Sequence, residues 1–504
     1  MVDWPKTTGV RPMLTAMAHE WHRALPILAR LGLTAFILAG CNLTKAAPAT
    51  IAPTLPPPTP TPIDPQAGMG DPYYPLLGNA GYDVTHYTIA LSVDPGSNAV
   101  SGSTTIEANA TQALQSFNLD LQGLSVDHVQ VNGEAARFTS VEHELTVMPA
   151  QALAEGAAFE ARVAYHGSPS TAQGASPESF DVVGWFHTPS GAINVMSEPN
   201  GAASWFPAND HPRDKATYRF EISVPNPWVV AANGSLRETK DNGDRRTYVW
   251  EMRQPMASYL ATIDIDLYTI ETEQGPDGVL IRNYLPADIS PEWKANVSKL
   301  PEMISFLSAM YGPYPFDEYG IVVASKENQG CRAFGAMEAQ SLSVHCPTDR
   351  MLSEWALVHE LAHQWFGDEV SLENWKDMWL KEGMATYAEW MWEKRGAELS
   401  FLTSLARENA SLNTFDTPIA EPLPEQLYDR ESYDGGALVF HALRLQVGDE
   451  NFFKILRTFL DRYRYGNAGT DEFMAVATEI SGQDLASFFD AWLMKMPLPE
   501  IPKP

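Results

Sequence analysis

The stretch that decides the reading is His359-Glu360-Leu361-Ala362-His363-Gln364-Trp365-Phe366-Gly367, followed, after eighteen residues between it and the second histidine, by Glu382 in Trp379-Leu380-Lys381-Glu382-Gly383. Positions i and i+4 of a helix share a face. His359 and His363 therefore offer two imidazoles to one metal ion while Glu360 points into the same space. A second helix supplying Glu382 completes a three-ligand, open zinc site with a coordination position left for water. A carboxylate beside that water takes its proton as it attacks a carbonyl, and Glu360 is placed for this. The pattern predicts one zinc ion per chain and a peptidase-like hydrolysis. The short H-E-x-x-H run alone also occurs on ordinary amphipathic helices, so its extensions carry the weight.

Working outward, the 504 residues exceed what one core usually supports, which predicts two or more domains. A hydrophobic fraction of 44% is that of a globular chain. The formal net charge of −29 argues against nucleic acid or an anionic lipid surface as the main partner, and favours a cationic group on the substrate.

Near the start, Arg23 and Arg30 precede an apolar run, Leu31 to Leu38, that ends in Ala39-Gly40-Cys41. The run is too short to span a bilayer, and small residues directly before a cysteine fit a bacterial lipoprotein signal, 1–40, cleaved ahead of Cys41. Cys41 would carry the lipid, and the protein would be exported to the cell membrane or surface. A plain secretory signal with a coincidental cysteine is the other reading. The long stretch before Arg23 points to translation starting at Met13 or Met17. Residues 41–71 are rich in Pro, Thr and Ala, with Leu55-Pro-Pro-Pro-Thr-Pro-Thr-Pro62 at the centre, and predict an extended spacer without a core.

Beyond the spacer the hydrophobic period is two. Tyr87, Ile89, Leu91 and Val93 alternate with small or polar residues, as do Phe117, Leu119 and Leu121, and Asn132-Gly133 marks a tight turn. Further strand-like runs, 218–224 and 246–250, extend a β-rich domain over 72–269. From about residue 270 helical patterns dominate, first over 290–311, and a mainly helical domain is expected over 270–504. Within it, 320–325 and 334–340 read as strands ahead of the metal helix. The fold class is therefore multidomain α+β.

With Gln364-Trp365-Phe366-Gly367 after the second histidine, and Trp379, Leu380 and Gly383 around Glu382, the chain resembles the M1 family of zinc aminopeptidases, members of the gluzincins, over about 72–502. The resemblance implies a saddle-like N-terminal β domain walling the active site and a thermolysin-like catalytic domain. It further implies His359, His363 and Glu382 as ligands and Glu360 as the base. Gly335-Ala336-Met337-Glu338 matches the first four residues of the family's G-A-M-E-N motif, while Ala339 departs from the usual asparagine. In that pattern Glu338 binds the free N-terminal ammonium of a peptide by charge-assisted hydrogen bonds and fixes the register of cleavage. Glu198 matches a second amine-binding position, and the backbone of Gly335 and Ala336 is expected to pair with the extended substrate. Tyr433-Asp434-Gly435-Gly436 matches the Tyr-x-x-Gly context of the oxyanion-stabilising tyrosine, with Tyr428 as the alternative. Ala203 stands where arginine is common.

The chain stops shortly after Trp492, which implies a short form without the C-terminal helical domain and a more open cleft. Cys331 and Cys346 are open to two readings, a bridge bracing the substrate edge or a pair of buried thiols, and neither is catalytic. The function expected is hydrolysis of the N-terminal bond of peptides with a free amino terminus at the cell surface. An endopeptidase of the same metal class, and a surface-binding lipoprotein without catalysis, are the competing readings.

Overall fold

A computed structural model describes residues 68–174, 182–332, 335–413 and 415–502. The signal at 1–40, the lipidation site Cys41 and the spacer up to residue 67 lie outside the described residues. The described part falls within one compact unit, 60–504.

The period-two run becomes strand Tyr82–Asp94, which buries Tyr87, Ile89, Leu91 and Val93 on one face. A bulge between Val84 and His86 shifts the alternation, so that Tyr82 and Val84 are buried on even numbers and the later residues on odd ones. This strand lies inside a ten-stranded sheet, antiparallel to Ala99–Ala110 and parallel to Lys215–Pro225, with Ile89 opposite Phe220. Asn132 and Gly133, at φ of 53° and 79°, make the turn between Ser125–Val131 and Glu134–Val141. Positive φ at both central positions is what a tight hairpin with the strands' own twist requires. A five-stranded sheet holds the fully buried strand Ile193–Met196, which leads directly into Glu198.

The second half begins with more sheet than its sequence suggests. Strands Thr269–Gln274 and Leu280–Leu285 pair antiparallel, and Ile321–Val323, Ser343–His345 and Ala336–Met337 extend the sheet in that order. The strands expected at 320–325 and 334–340 shrink to Ile321–Val323 and Ala336–Met337. The second is short because Gly335 (φ 74°) and Ser341 (φ 66°) turn the backbone on either side of Met337, leaving two residues to pair with Val344 and His345. Phe334 lies outside the described residues.

The helix expected over 290–311 is two helices, α1 (Pro291–Val297) and α2 (Leu300–Tyr311). Pro301 has no N–H to give to the preceding turn but suits the first turn of a new helix. The metal motif lies on α3 (Glu354–Ala362) and α4 (Trp379–Glu393), followed by α5 (Leu399–Leu412), α6 (Gly436–Val447), α7 (Asp449–Arg462), α8 (Thr470–Ser481) and α9 (Ala486–Leu493). Cys331 and Cys346 are joined in a disulfide, so of the two readings the bridge holds. No helix of the described residues is long and apolar enough to cross a membrane.

Candidate metal and peptide site

His359 and Glu360 sit on the last turn of α3, and His363 caps it while keeping helical φ and ψ of −58° and −24°. Glu382 stands in the first turn of α4. Two glycines allow α6 to close on α4. A Cβ on Gly383 would fall 2.6 Å from the Gly436 backbone, and one on Gly436 would fall 2.7 Å from the Gly383 Cα. Glycine at both positions permits α4 and α6 to touch backbone to backbone. The π-helical turn Glu431–Gly435 ahead of α6 then lays the Tyr433 ring against His359, with centroids 6.0 Å apart and planes 15° from parallel.

Glu382 Oε2 lies 3.3 Å from His359 Nε2 and 3.5 Å from His363 Nε2. A tetrahedral ion with bonds of about 2.0–2.2 Å needs ligand atoms roughly 3.3–3.5 Å apart, so the triad fits zinc. The outer ring nitrogens are already engaged, His359 Nδ1 with Glu389 Oε1 at 2.5 Å and His363 Nδ1 with the Phe366 carbonyl at 3.1 Å. These contacts direct both Nε2 atoms at the shared point, the arrangement that orients metal-binding histidines. Burial opposes charge on Glu382, but the Lys381 ammonium and the two histidines hold its carboxyl well below the usual range, ionised as a ligand must be.

Glu360 is buried beside the triad, and an oxygen of Glu338, one of Glu360 and a nitrogen of His363 lie within 4.8 Å of one another. Burial is the main reason its carboxyl rises to about 8; His359 opposes the rise, and Glu338 and Glu382 add to it. A base in this range is suited to taking a proton and returning it near neutral pH. The Tyr433 hydroxyl is pushed well above its ordinary value by burial and then by Glu382, so it stays a donor. Burial likewise raises the hydroxyl of Tyr428, which also senses Glu198 and Tyr433.

Glu198 and Glu338 come from different sheets and meet on one cation, Lys381. Glu198 Oε1 lies 2.7 Å from its Nζ and Glu382 Oε1 2.9 Å from it, and Glu338 Oε1 accepts a short hydrogen bond from the same atom. Apart from this ion pair, Glu198 Oε1 has no hydrogen-bond partner among the described residues, which leaves it capacity for another donor. Gln364 ties the Glu338 segment to α3, its Nε2 donating to the Glu338 carbonyl at 3.2 Å and its Oε1 accepting from Ser341 N–H at 2.7 Å. Ala336–Met337 is the terminal strand of its sheet, and among the described residues only Ser343–His345 pairs with it. The Gly335 carbonyl accepts from Cys346 N–H at 2.9 Å, and Ala336 begins the edge strand. Ala203, buried in a short 3-10 turn, donates its N–H to Asp210.

Sequence reasoning passed over Lys381 and Glu389. Glu389 lies seven residues, two helical turns, beyond Glu382 and so on the same face of α4, a spacing that exposes it once the ligand is assigned. Lys381 carries no such periodic signal.

Two histidines and a glutamate around a shared point, with a buried carboxylate beside them, define a metal-dependent hydrolase site. A profile described as the Peptidase family M1 domain matches residues 295–492, and one described as the Peptidase M1 N-terminal domain matches 83–260. The chain is 30% identical to an M1 zinc metallopeptidase of Deinococcus radiodurans, solved as a mutant bound to a Tyr-Ser-Ala substrate. That likeness has a TM-score of 0.78 and covers 87% of this chain and all (100%) of that one. A related structure is described as a two-domain M1 zinc metallopeptidase bound to L-arginine, with the same 30% identity and a TM-score of 0.77. Aminopeptidase M1-D of Oryza sativa is 27% identical over 319 residues, 59% of this chain and 36% of that protein. Tricorn protease-interacting factor F2 of Thermoplasma volcanium is 26% identical over 329 residues, 61% of this chain and 41% of that protein. The chain thus spans well under half the length of these two curated relatives. It belongs to peptidase family M1, whose solved relatives are zinc enzymes, and His359, His363 and Glu382 are the residues that fit the ion.

Proposed function

We propose that the protein is a zinc aminopeptidase that removes residues from the free amino terminus of peptides. The observation that carries this is the convergence of Glu198 and Glu338 beside the metal triad, next to the open backbone edge at Ala336. Two carboxylates at the closed end of a peptide-binding edge hold an ammonium and count one residue to the scissile bond. His359, His363 and Glu382 would hold zinc, which when bound would supply Lewis acidity to the scissile carbonyl and to the attacking water. Glu360 takes the proton of the attacking water and delivers it to the departing amine. Tyr433 donates its hydroxyl proton in a hydrogen bond to the oxyanion of the tetrahedral state, an interaction worth several kcal/mol where charge develops. The edge at Gly335 and Ala336 pairs with the substrate backbone as an added strand does.

The test is hydrolysis of matched peptides with free and N-acetylated termini by the zinc-loaded protein, with Glu360→Gln as the inactive control. Cleavage of the free set alone supports the aminopeptidase. Equal cleavage of both sets would point to an endopeptidase, a reading that Ala339 keeps in view, and no cleavage would leave a binding role.

We further infer that this body is held outside the cytoplasm by a lipid on Cys41. The support is the sequence from Arg23 to Cys41, the proline-rich spacer, and the Cys331–Cys346 bridge, which suits an oxidising compartment. Labelled fatty acid should enter the wild type and not Cys41→Ala; equal labelling would remove the anchor.

A further inference from the structure

Lys381 takes no part in the chemistry above, yet it is the most deeply placed charge of the site. Its side chain has 0% exposure, against 6% for Glu198, 5% for Glu338 and 11% for His359. The carboxylates are thus slightly more exposed than the ammonium they share. Oxygens of Glu198, Glu338 and Glu382 all sit within 4.8 Å of one another, a spacing at which like charges repel strongly unless a cation is shared among them.

The lysine is also held in place. Its Nζ faces three carboxylates, and the Tyr259 ring centre is 5.9 Å from Nζ. Glu382 is divided between two neighbours, Oε1 facing Lys381 and Oε2 facing both histidines. One ammonium thus fixes the rotation of a metal ligand and of both amine-facing carboxylates.

We propose that Lys381 is a positioning residue that sets amine recognition and metal affinity together. Its ammonium backs Glu198, Glu338 and Glu382 from the closed side. With Glu382 assigned to the metal, Glu198 and Glu338 share the one Lys381 ammonium between them. The proposal rests on the aminopeptidase reading.

The experiment uses the full chain and compares wild type with Lys381→Met at saturating zinc. L-leucinamide binding is measured by calorimetry, N-acetyl-leucinamide serving as the uncharged control, and zinc affinity by chelator competition. Outer contacts of metal ligands typically contribute 10–100-fold to affinity, so zinc binding should weaken by about that factor. Leucinamide binding should weaken by at least about tenfold, N-acetyl-leucinamide binding should not change, and KM for a free tripeptide should rise more than kcat falls. Leucinamide binding that is unchanged or tighter in the variant overturns the proposal, the tighter case meaning that Lys381 competes with the substrate amine. Should Lys381→Met fail to fold, Glu198→Gln is compared with Glu198→Gln combined with Lys381→Gln, which removes one charge of each sign. A further tenfold loss of leucinamide binding supports the role, and no further loss ends it. A wild type that binds leucinamide no better than its N-acetyl form defeats the aminopeptidase reading itself, and the role of Lys381 with it.

Discussion

The ten-stranded sheet and the floor of the metal site are both buried, but they are held by different kinds of interaction. In the sheet, strand after strand contributes apolar side chains on a period of two, and Ile89, Phe220 and Val163 are interchangeable in kind if not in shape. In the floor, Lys381, Glu198, Glu338 and Glu382 are each matched to named partners, and removing one leaves another charge buried and uncompensated. The sheet spreads its stability over many small contributions; the site concentrates function in a few side chains. A change in the first should therefore move melting temperature, and a change in the second should move rate or metal affinity.

The largest expected effect is that of Glu360→Gln, which keeps the shape and removes the base. Turnover of free peptides should fall by about a hundred- to ten-thousand-fold with the unfolding transition unmoved, and a comparable loss of stability would blur the contrast.

Lys215 sharpens the contrast from the other side, because it is a half-buried basic group in the sheet. Its Nζ donates to the carbonyls of Asp368 (2.8 Å), Glu369 (3.1 Å) and Gly466 (3.3 Å), linking strand Lys215–Pro225 to the loop after α3. Burial brings its amine down from 10.5 to about 7. Between those values the unfolded chain keeps a proton that the folded chain has released, so stability rises with pH across that window and is lost as pH falls toward 7. Relative to Lys215→Met, the wild type should gain on the order of 3–5 kcal/mol between pH 7 and pH 10.5, measured by denaturant unfolding. A flat difference would show that the lysine stays charged when folded.

Glu389→Gln should weaken zinc binding by about 10–100-fold with little change in fold, since it loosens the orientation of His359 and nothing in the sheet. Ile89→Val, the smallest change, should cost about 0.5–1.5 kcal/mol of stability and leave kcat per folded molecule as it was. A rate effect there would mean that the sheet transmits its packing to the site.

The two regions also differ in how far the sequence discloses them. The alternation at Tyr87, Ile89, Leu91 and Val93, the Asn132-Gly133 turn and the metal spacing are local signals, and each stands in the structure where the pattern puts it. The parallel pairing of Tyr82–Asp94 with Lys215–Pro225 is not local, because its partners lie some 130 residues apart and the register follows from packing. Strands Thr269–Gln274 and Leu280–Leu285 went unseen: the first is mostly exposed and polar, and gives no clean alternation. At the site the ligands were readable because helical spacing is rigid. Lys381 was not, because its meaning depends on Glu198 and Glu338, which reach it from 183 and 43 residues away. The sequence also left the state of Cys331 and Cys346 open, because thiol pairing is settled by distance in the fold.

The contact of α4 with α6 bears on how this enzyme can change over generations. Gly383 and Gly436 leave each other no room for even one carbon, so neither position tolerates a substitution that the other might compensate. A saturation library over the pair should return glycine codons at both sites among active clones, while the exposed surface of α5, which lies between them in the chain, drifts freely. The tyrosine beside His359 is thus held there by two positions that carry no chemistry and permit no variation.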